Sequence, residues 1–157
     1  MIYKSVYSSP LGYFEICSDG GESITRLYLT SSPSASYTEN ALTRLAAVQL
    51  EEYFSGDRRT FDLPLDPDGT AFEKEVWRAC REIPYGETRT YKEIAAAIGD
   101  EKAVRAVGKA IDANPIFICI PCHRVLGKRS FLSGFAADAA IKEALLGAEK
   151  NYLKKQS

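Results

Sequence analysis

Across residues 1–30, aromatic and β-branched residues gather in short runs: Ile2-Tyr3, Val6-Tyr7, Gly12 to Cys17 and Ile24 to Leu29. Ser9-Pro10-Leu11-Gly12 and Ser18-Asp19-Gly20-Gly21 separate them with turn-forming residues, so the runs predict strands. Ser31 to Ser36 is a polar break. Leu42, Leu45, Ala46, Leu50 and Tyr53 then recur at helical spacing and predict an amphipathic helix ending near Gly56. Asp57 to Gly69 has no period and carries Pro64, Pro67 and Gly69, the pattern of a linker.

The second half reads differently. Thr70-Ala71-Phe72-Glu73 is a capping box that opens a helix bearing Phe72, Val76 and Trp77, and Ile83-Pro84-Tyr85-Gly86 ends it. Thr90-Tyr91-Lys92-Glu93 is a second capping box, opening a helix over Tyr91 to Ile98. Gly99 stops that helix, and Asp100 offers a cap for the next, Glu101 to about Ala113. Two short helices joined by a glycine-containing turn read as a helix-turn-helix. Ile116 to Ile120, with Pro115 and Pro121 on either side, predicts a short buried strand or extended segment. A last helix spans about Asp138 to Glu149, with Ile141, Leu145 and Leu146 on one face. The expected fold class is α+β: a small N-terminal β-sheet with a helix over residues 1–66, then a mostly helical domain over residues 70–157.

Composition narrows the function classes. The chain has 157 residues, 45% hydrophobic and 26% charged, the profile of an ordinary soluble globular protein of one domain or two small ones. A net charge of −1 excludes a global basic field, so any nucleic-acid partner must be met by a local patch. Four cysteines are too few for a disulfide scaffold. The N-terminus lacks a signal-peptide core, and no apolar run approaches the ~18 residues of a membrane span. A cytoplasmic protein with reduced thiols is the expectation.

The chemistry concentrates at Cys122-His123, which holds the single histidine of the chain. A free thiol has a pKa near ~8.5 and is mostly unreactive at neutral pH until a neighbouring base takes its proton. Adjacency alone is weak support, because consecutive side chains of a strand point to opposite faces. Cys119 and Cys122 also form a C-x-x-C, a spacing used in thiol–disulfide exchange. No helix N-terminus is evident at Cys119, so Cys119 reads as core and Cys122 as the reactive thiol. The second helix of the helix-turn-helix carries Lys102, Arg105 and Lys109 among small residues, including Ala106 and Gly108. These would let the backbone lie close to another surface, either a neighbouring helix or nucleic acid. It has no Asn or Gln to read adenine in a major groove.

Asn114-Pro115 followed by Ile120-Pro121-Cys122-His123-Arg124-Val125 resembles the active-site signature of the O6-alkylguanine-DNA alkyltransferases, whose core is Pro-Cys-His-Arg. Phe72, Val76-Trp77, Ile83-Pro84-Tyr85-Gly86, Thr90-Tyr91, Ile94-Ala95, Ile98-Gly99 and Arg105-Ala106-Val107-Gly108 extend the likeness upstream. Leu145-Leu146 and Glu149 extend it downstream, so it covers about residues 70 to 150. The resemblance implies a ribonuclease H-like N-terminal domain and a monomer acting on double-stranded DNA that contains O6-alkylguanine, and also O4-methylthymine. It implies irreversible, single-turnover transfer of the alkyl group to Cys122, without a cofactor.

By the same resemblance His123 takes the thiol proton through an ordered water, Glu149 holds the imidazole tautomer, and Asn114 orients the histidine and adjoining backbone. The helix-turn-helix lies in the minor groove. There Arg105 fills the stack left by a flipped base, and Ala106 and Gly108 allow close approach. Tyr91 bonds the flipped base, as do the backbones of Val125 and Ala136, with Phe135 as an aromatic wall. Arg124, Lys128 and Arg129 meet phosphates. The structural zinc of some relatives is not expected, since Cys17 is the only candidate ligand in the N-terminal half. Gly134-Phe135-Ala136-Ala137-Asp138 departs from the family's Tyr-Ala-Gly-Gly run, which implies a stiffer lid. Two other functions fit parts of this pattern: a non-catalytic reader of damaged DNA, and a C-x-x-C oxidoreductase.

Overall fold

The computed structural model describes residues 1–127 and 136–156, with side chains at 1–127 and 139–155. Lys128, Arg129 and Phe135 lie outside the described residues, as do the side chains of Ala136, Ala137 and Asp138. The chain forms two compact units. Met1–Asp68 with Pro115–Phe117 make the first, and Gly69–Asn114 with the described residues from Ile118 onward make the second.

The first unit is built on a three-stranded antiparallel sheet, β1 (Ile2–Ser9), β2 (Gly12–Asp19) and β3 (Arg26–Thr30), in that order. The strands follow the aromatic and β-branched runs. Gly12, at φ +131°, makes the tight turn into β2. The central strand β2 is buried on both faces. Phe14 and Ile16 share one face with Ser5 and Tyr7 of β1, and helix α1 (Ala41–Phe54) covers it. On the opposite face the Glu15 carboxylate accepts from Lys4 Nζ at 3.2 Å, from the Tyr28 hydroxyl and from Ser34 N at 2.6 Å. Burial alone would raise Glu15, but these donors hold it at about 2.

Two expectations for this unit are corrected. Leu45 is exposed, as is Val48, and the buried stripe of α1 is Thr43, Ala46, Gln49, Leu50 and Tyr53. The polar members of the stripe are accepted inside because they are bonded. Ser5 Oγ meets Thr43 Oγ1 at 2.9 Å, and Gln49 both donates to and accepts from the Asp62 backbone. The proposed linker is partly structured. Ile24 N donates to Pro64 O at 2.8 Å and Asp66 N to Ile24 O at 2.9 Å, while Leu63 is buried. Pro115 and Phe117 bond the Leu27 backbone in the same way, leaving Ile116 fully buried.

The second unit contains α2 (Ala71–Arg81), β4 (Arg89–Thr90), α3 (Tyr91–Ala97), α4 (Val104–Asp112), β5 (Val125–Leu126) and α5 (Ala136–Gln156). Both capping boxes form, at Thr70/Glu73 and Thr90/Glu93. Asp100 does not cap α4 with its side chain. Ala103 precedes the helix, its N–H donating to Asp100 O at 3.0 Å, so α4 starts later than its sequence pattern suggested. Gly99, at φ +80°, turns the chain between α3 and α4. Trp77 ties α2 to α4, its indole N–H donating to Ala110 O at 2.8 Å. β4 and β5 pair in parallel, Arg89 with Val125 and Thr90 with Leu126. That pairing was not visible in the sequence, and it sets the start of α3 beside the segment that follows His123.

Candidate active site

The extended segment expected over Ile116–Ile120 is interrupted. After the bridge at Ile116, Ile118 adopts φ +70°, the left-handed region that a β-branched residue enters only at a cost of about 1–3 kcal/mol. Asn114 holds the loop closed, its Nδ2 donating to Ile120 O at 2.8 Å. Cys122 N donates to the same carbonyl, also at 2.8 Å. Cys122–Arg124 then form a single 3₁₀ turn rather than a strand. This answers the objection from alternation: on such a turn all three side chains reach the interior, with Cys122 at 3%, His123 at 0% and Arg124 at 6% exposure.

Glu149 organises the polar side of the site. It lies on α5 in a buried stripe with Lys142, Leu145 and Leu146, the spacing that puts residues on one helix face. Its Oε2 lies 2.5 Å from His123 Nε2. Arg124 Nε donates to Oε1 at 2.8 Å and Nη2 to Oε2 at 3.0 Å, a bidentate pair. Gly86 N donates to Oε1 at 3.0 Å. Arg124 Nη1 also donates to Ile83 O at 2.9 Å, and its guanidinium lies over the Tyr85 ring. Arg124 is therefore a buried counter-ion for Glu149. Its expected contact with phosphate is corrected, since the side chain is buried and its donors are taken up by Glu149 and Ile83 O.

Electrostatics follow from this packing. Burial would raise Glu149, but His123 and Arg124 outweigh it and lower its pKa from 4.5 to about 2. Burial lowers His123, against the pull of Glu149, so the imidazole is neutral at pH 7. A neutral ring facing a carboxylate through Nε2 carries its proton there. Nδ1 then offers a lone pair, and no described residue bonds it. Burial pushes the Cys122 thiol up; the charge of Lys142 and a hydrogen bond from Asn114 oppose this without reversing it. Asn114 thus engages the Ile120 backbone and the Cys122 thiol. Cys119 is driven by burial to about 12, too high for an attacking thiol in a C-x-x-C exchange centre.

The geometry brings Cys122, His123, Glu149 and Asn114 together, and Val125 enters β5 directly after them. Tyr91 opens α3 beside β4 and packs on Gly108 of α4. A Cβ on Gly108 would lie 3.1 Å from the Tyr91 ring, which explains the glycine. Arg105 and Ala106 are exposed on α4, apart from the buried cluster. Two site residues escaped the sequence reading. Gly86 was noted as a helix stop and within the family likeness but given no place at the site, and Lys142, a lysine on a helix, gave no signal of its 5% exposure.

Two expected outcomes arise here. Gly86→Ala should cost about 1–3 kcal/mol in urea denaturation. Its φ is +79°, and the new Cβ would fall 2.1 Å from Leu153 Cδ1. Acid should also weaken the fold. A carboxyl whose folded pKa is depressed contributes stability above its unfolded value and loses it as pH falls through the folded one. The loss from Glu149 therefore runs from pH 4.5 down to about 2. Glu149→Gln should show a shallower decline in the urea midpoint over that window. Glu15, also held at about 2, supplies the remainder.

Comparison with known proteins accounts for both halves. Residues 2–67 match the ribonuclease-like domain of 6-O-methylguanine DNA methyltransferase, and residues 71–151 match its DNA-binding domain. A methylated-DNA–protein-cysteine methyltransferase of Methanosarcina barkeri is 60% identical over 111 residues, covering 71% of this chain and 70% of its own. That of Methanosarcina acetivorans is 45% identical over 154 residues, covering 94% and 98%. The crystal structure of Mycobacterium tuberculosis O6-methylguanine methyltransferase superposes with a TM-score of 0.87 at 39% identity, covering 97% of this chain and 94% of that one. A structure of the Mycobacterium tuberculosis protein in complex with DNA gives 0.85 at 40% identity, covering 96% and 94%. Matched along both halves, and with a near-full-length relative at 45% identity, the chain belongs to the 6-O-methylguanine DNA methyltransferase family.

Proposed function

We propose that this protein repairs DNA by moving an alkyl group from guanine O6 to its own Cys122, once per molecule. The observation that carries this is the arrangement of His123: Nε2 bound to a buried carboxylate, Nδ1 open, and the Cys122 thiol one residue away in the same 3₁₀ turn. The tautomer that Glu149 enforces leaves Nδ1 as the base. The thiol stays protonated at rest, and its proton passes to Nδ1, through an ordered water, as the sulfur attacks. The sulfur lone pair forms the S–C bond, the C–O6 bond breaks with its electrons going to the purine, and the purine takes up a proton. The balance is thiol plus O6-alkylguanine giving thioether plus guanine. A thioether is a poor leaving group, so one protein repairs one lesion.

The DNA face in this proposal is α3 and α4. Arg105, exposed on α4, enters the stack from the minor groove as the damaged base flips out, offsetting part of a cost of a few kcal/mol. Ala106 and Gly108 keep the backbone close to DNA. Tyr91 and the Val125 backbone meet the flipped base, O4-methylthymine included. The protein works as a monomer in the reducing cytoplasm, where thiols remain free. The Mycobacterium tuberculosis relative bound to DNA supports this partner.

The test is intact-mass spectrometry after incubation with a short duplex containing O6-methylguanine. The expected result is one stoichiometric increment equal to a methylene, located at Cys122 and missing in Cys122→Ser. Tight binding to the lesion without an increment would move the assignment to a non-catalytic reader of damage.

A further inference from the structure

α4 carries a solvent-exposed stripe of which the proposed repair reaction uses only Arg105. Arg105, Lys109 and Asp112 follow at spacings of four and three, so they share one face of the helix, and all three are exposed. Val107, Ala110 and Ile111 form the buried face. Among the described residues neither Arg105 nor Lys109 is in an ion pair, with Asp112 or with any other acid. The stripe therefore runs cation, cation, anion toward the C-terminus. Asp112 closes the last turn, where the helix dipole disfavours an acid, so helix stability does not account for it. A net charge of −1 leaves the attraction of a polyanion to local groups such as these. The match to the DNA-binding domain, residues 71–151, contains the whole stripe.

We propose that Lys109 holds a backbone phosphate beside the stack that Arg105 enters, and that Asp112 keeps the strand off the C-terminal end of α4. This rests on α4 being the DNA face. One turn separates the two cations, about 6 Å along the helix axis. Each DNA strand carries a charge every ~3.4 Å along the duplex axis, so with Arg105 in the stack a neighbouring phosphate falls within reach of the flexible lysine stem. Asp112 lies about 4.5 Å further on, and its charge adds to the negative end of the helix dipole; both repel phosphate. The stripe thus grips DNA along the first part of α4 and holds it away at the end. A phosphate contact carries no sequence information, which suits a protein that must search any duplex for a lesion. Asp112 keeps that grip weak enough for undamaged DNA to be released.

The experiment is a fluorescence-anisotropy titration of an undamaged labelled duplex across a salt series. It compares wild type, Lys109→Met, Asp112→Asn, and Arg44→Gln and Glu51→Gln on α1. The last two repeat the same changes of net charge at exposed positions of the first unit. Circular dichroism checks that each variant is folded. Lys109→Met should lower the slope of log Kd against log salt by about 0.9, the value of one phosphate contact, and weaken binding about eightfold at ~0.1 M salt. Asp112→Asn should act in the opposite direction, tightening binding roughly two- to threefold at that salt and less as salt rises. The α1 variants should bind as wild type does. An unchanged slope in folded Lys109→Met would overturn the proposal, as would Asp112→Asn that fails to tighten binding. So would α1 variants that shift binding equally, since net charge alone would then be responsible. Transfer from the O6-methylguanine duplex to wild type is measured in parallel. Binding with the expected salt and charge dependence but no methyl transfer would sink the repair function and leave the role of the stripe standing.

Discussion

Glu149→Leu is expected to lose about 3–5 kcal/mol of stability in urea denaturation and all measurable transfer activity, and adding Arg124→Met is expected to return part of the stability and none of the activity. The reason is the geometry around one carboxylate. Glu149 is fully buried and is the counter-ion of Arg124, which has almost no exposure of its own. Removing the acid alone leaves a guanidinium in the interior with, among the described residues, Ile83 O and the Tyr85 ring beside it. An uncompensated buried charge is among the most damaging single changes, whereas replacing both members of a buried pair by apolar groups is often close to neutral. Recovery should be incomplete, because Gly86 N and His123 Nε2 also lose their acceptor. Simple additivity of the two losses would show that the pair does not act as a unit. Activity should stay absent in both, since nothing then fixes the His123 tautomer.

His123→Phe should lower the rate of transfer by about 10²–10⁴-fold, the usual contribution of a positioned general base, while changing DNA affinity little. Phenylalanine fits a fully buried aromatic site, and Glu149 Oε2 keeps Arg124 Nη2 as a donor. The fold should therefore survive, and the loss should appear in the chemical step. Single-turnover methyl transfer set beside a binding titration on the same duplex separates the two. A rate within a few-fold of wild type would mean that the Cys122 proton leaves by another route. The buried thiol makes this base consequential: its pKa lies above the ordinary value, so the sulfur does not ionise unaided at neutral pH. A lowered thiol pKa, the simpler route to a sulfur nucleophile, is not what the resting site has.

How much of this was readable in the chain differs by residue. The capping boxes at Thr70/Glu73 and Thr90/Glu93 form as their spacing predicts, because a cap is a contact between residues three apart. The strands of the first unit follow from local runs of β-formers and turn residues. Leu45 failed because periodicity marks an apolar stripe but not its rotation; Thr43 and Gln49 took the inner positions once partners on β1 and at Asp62 bonded them. Asp100 failed because a residue suited to capping still needs the helix to begin in the right place. Glu149 was singled out only through family resemblance, and Lys142 gave no signal at all.

The sequence by itself determined the local elements, the thiol beside the single histidine, and the family to which both belong, since all of these are written in short-range pattern. Only tertiary structure decided which nitrogen of His123 meets Glu149, that Arg124 is a buried counter-ion of Glu149, and that Lys142, on α5, is buried. Those outcomes depend on burial and on partners 25 residues or more away, as for Arg124 with Glu149 and Ile83. Desolvation and charge pairing act on groups brought together in space, and a pattern of neighbours along the chain carries no record of them.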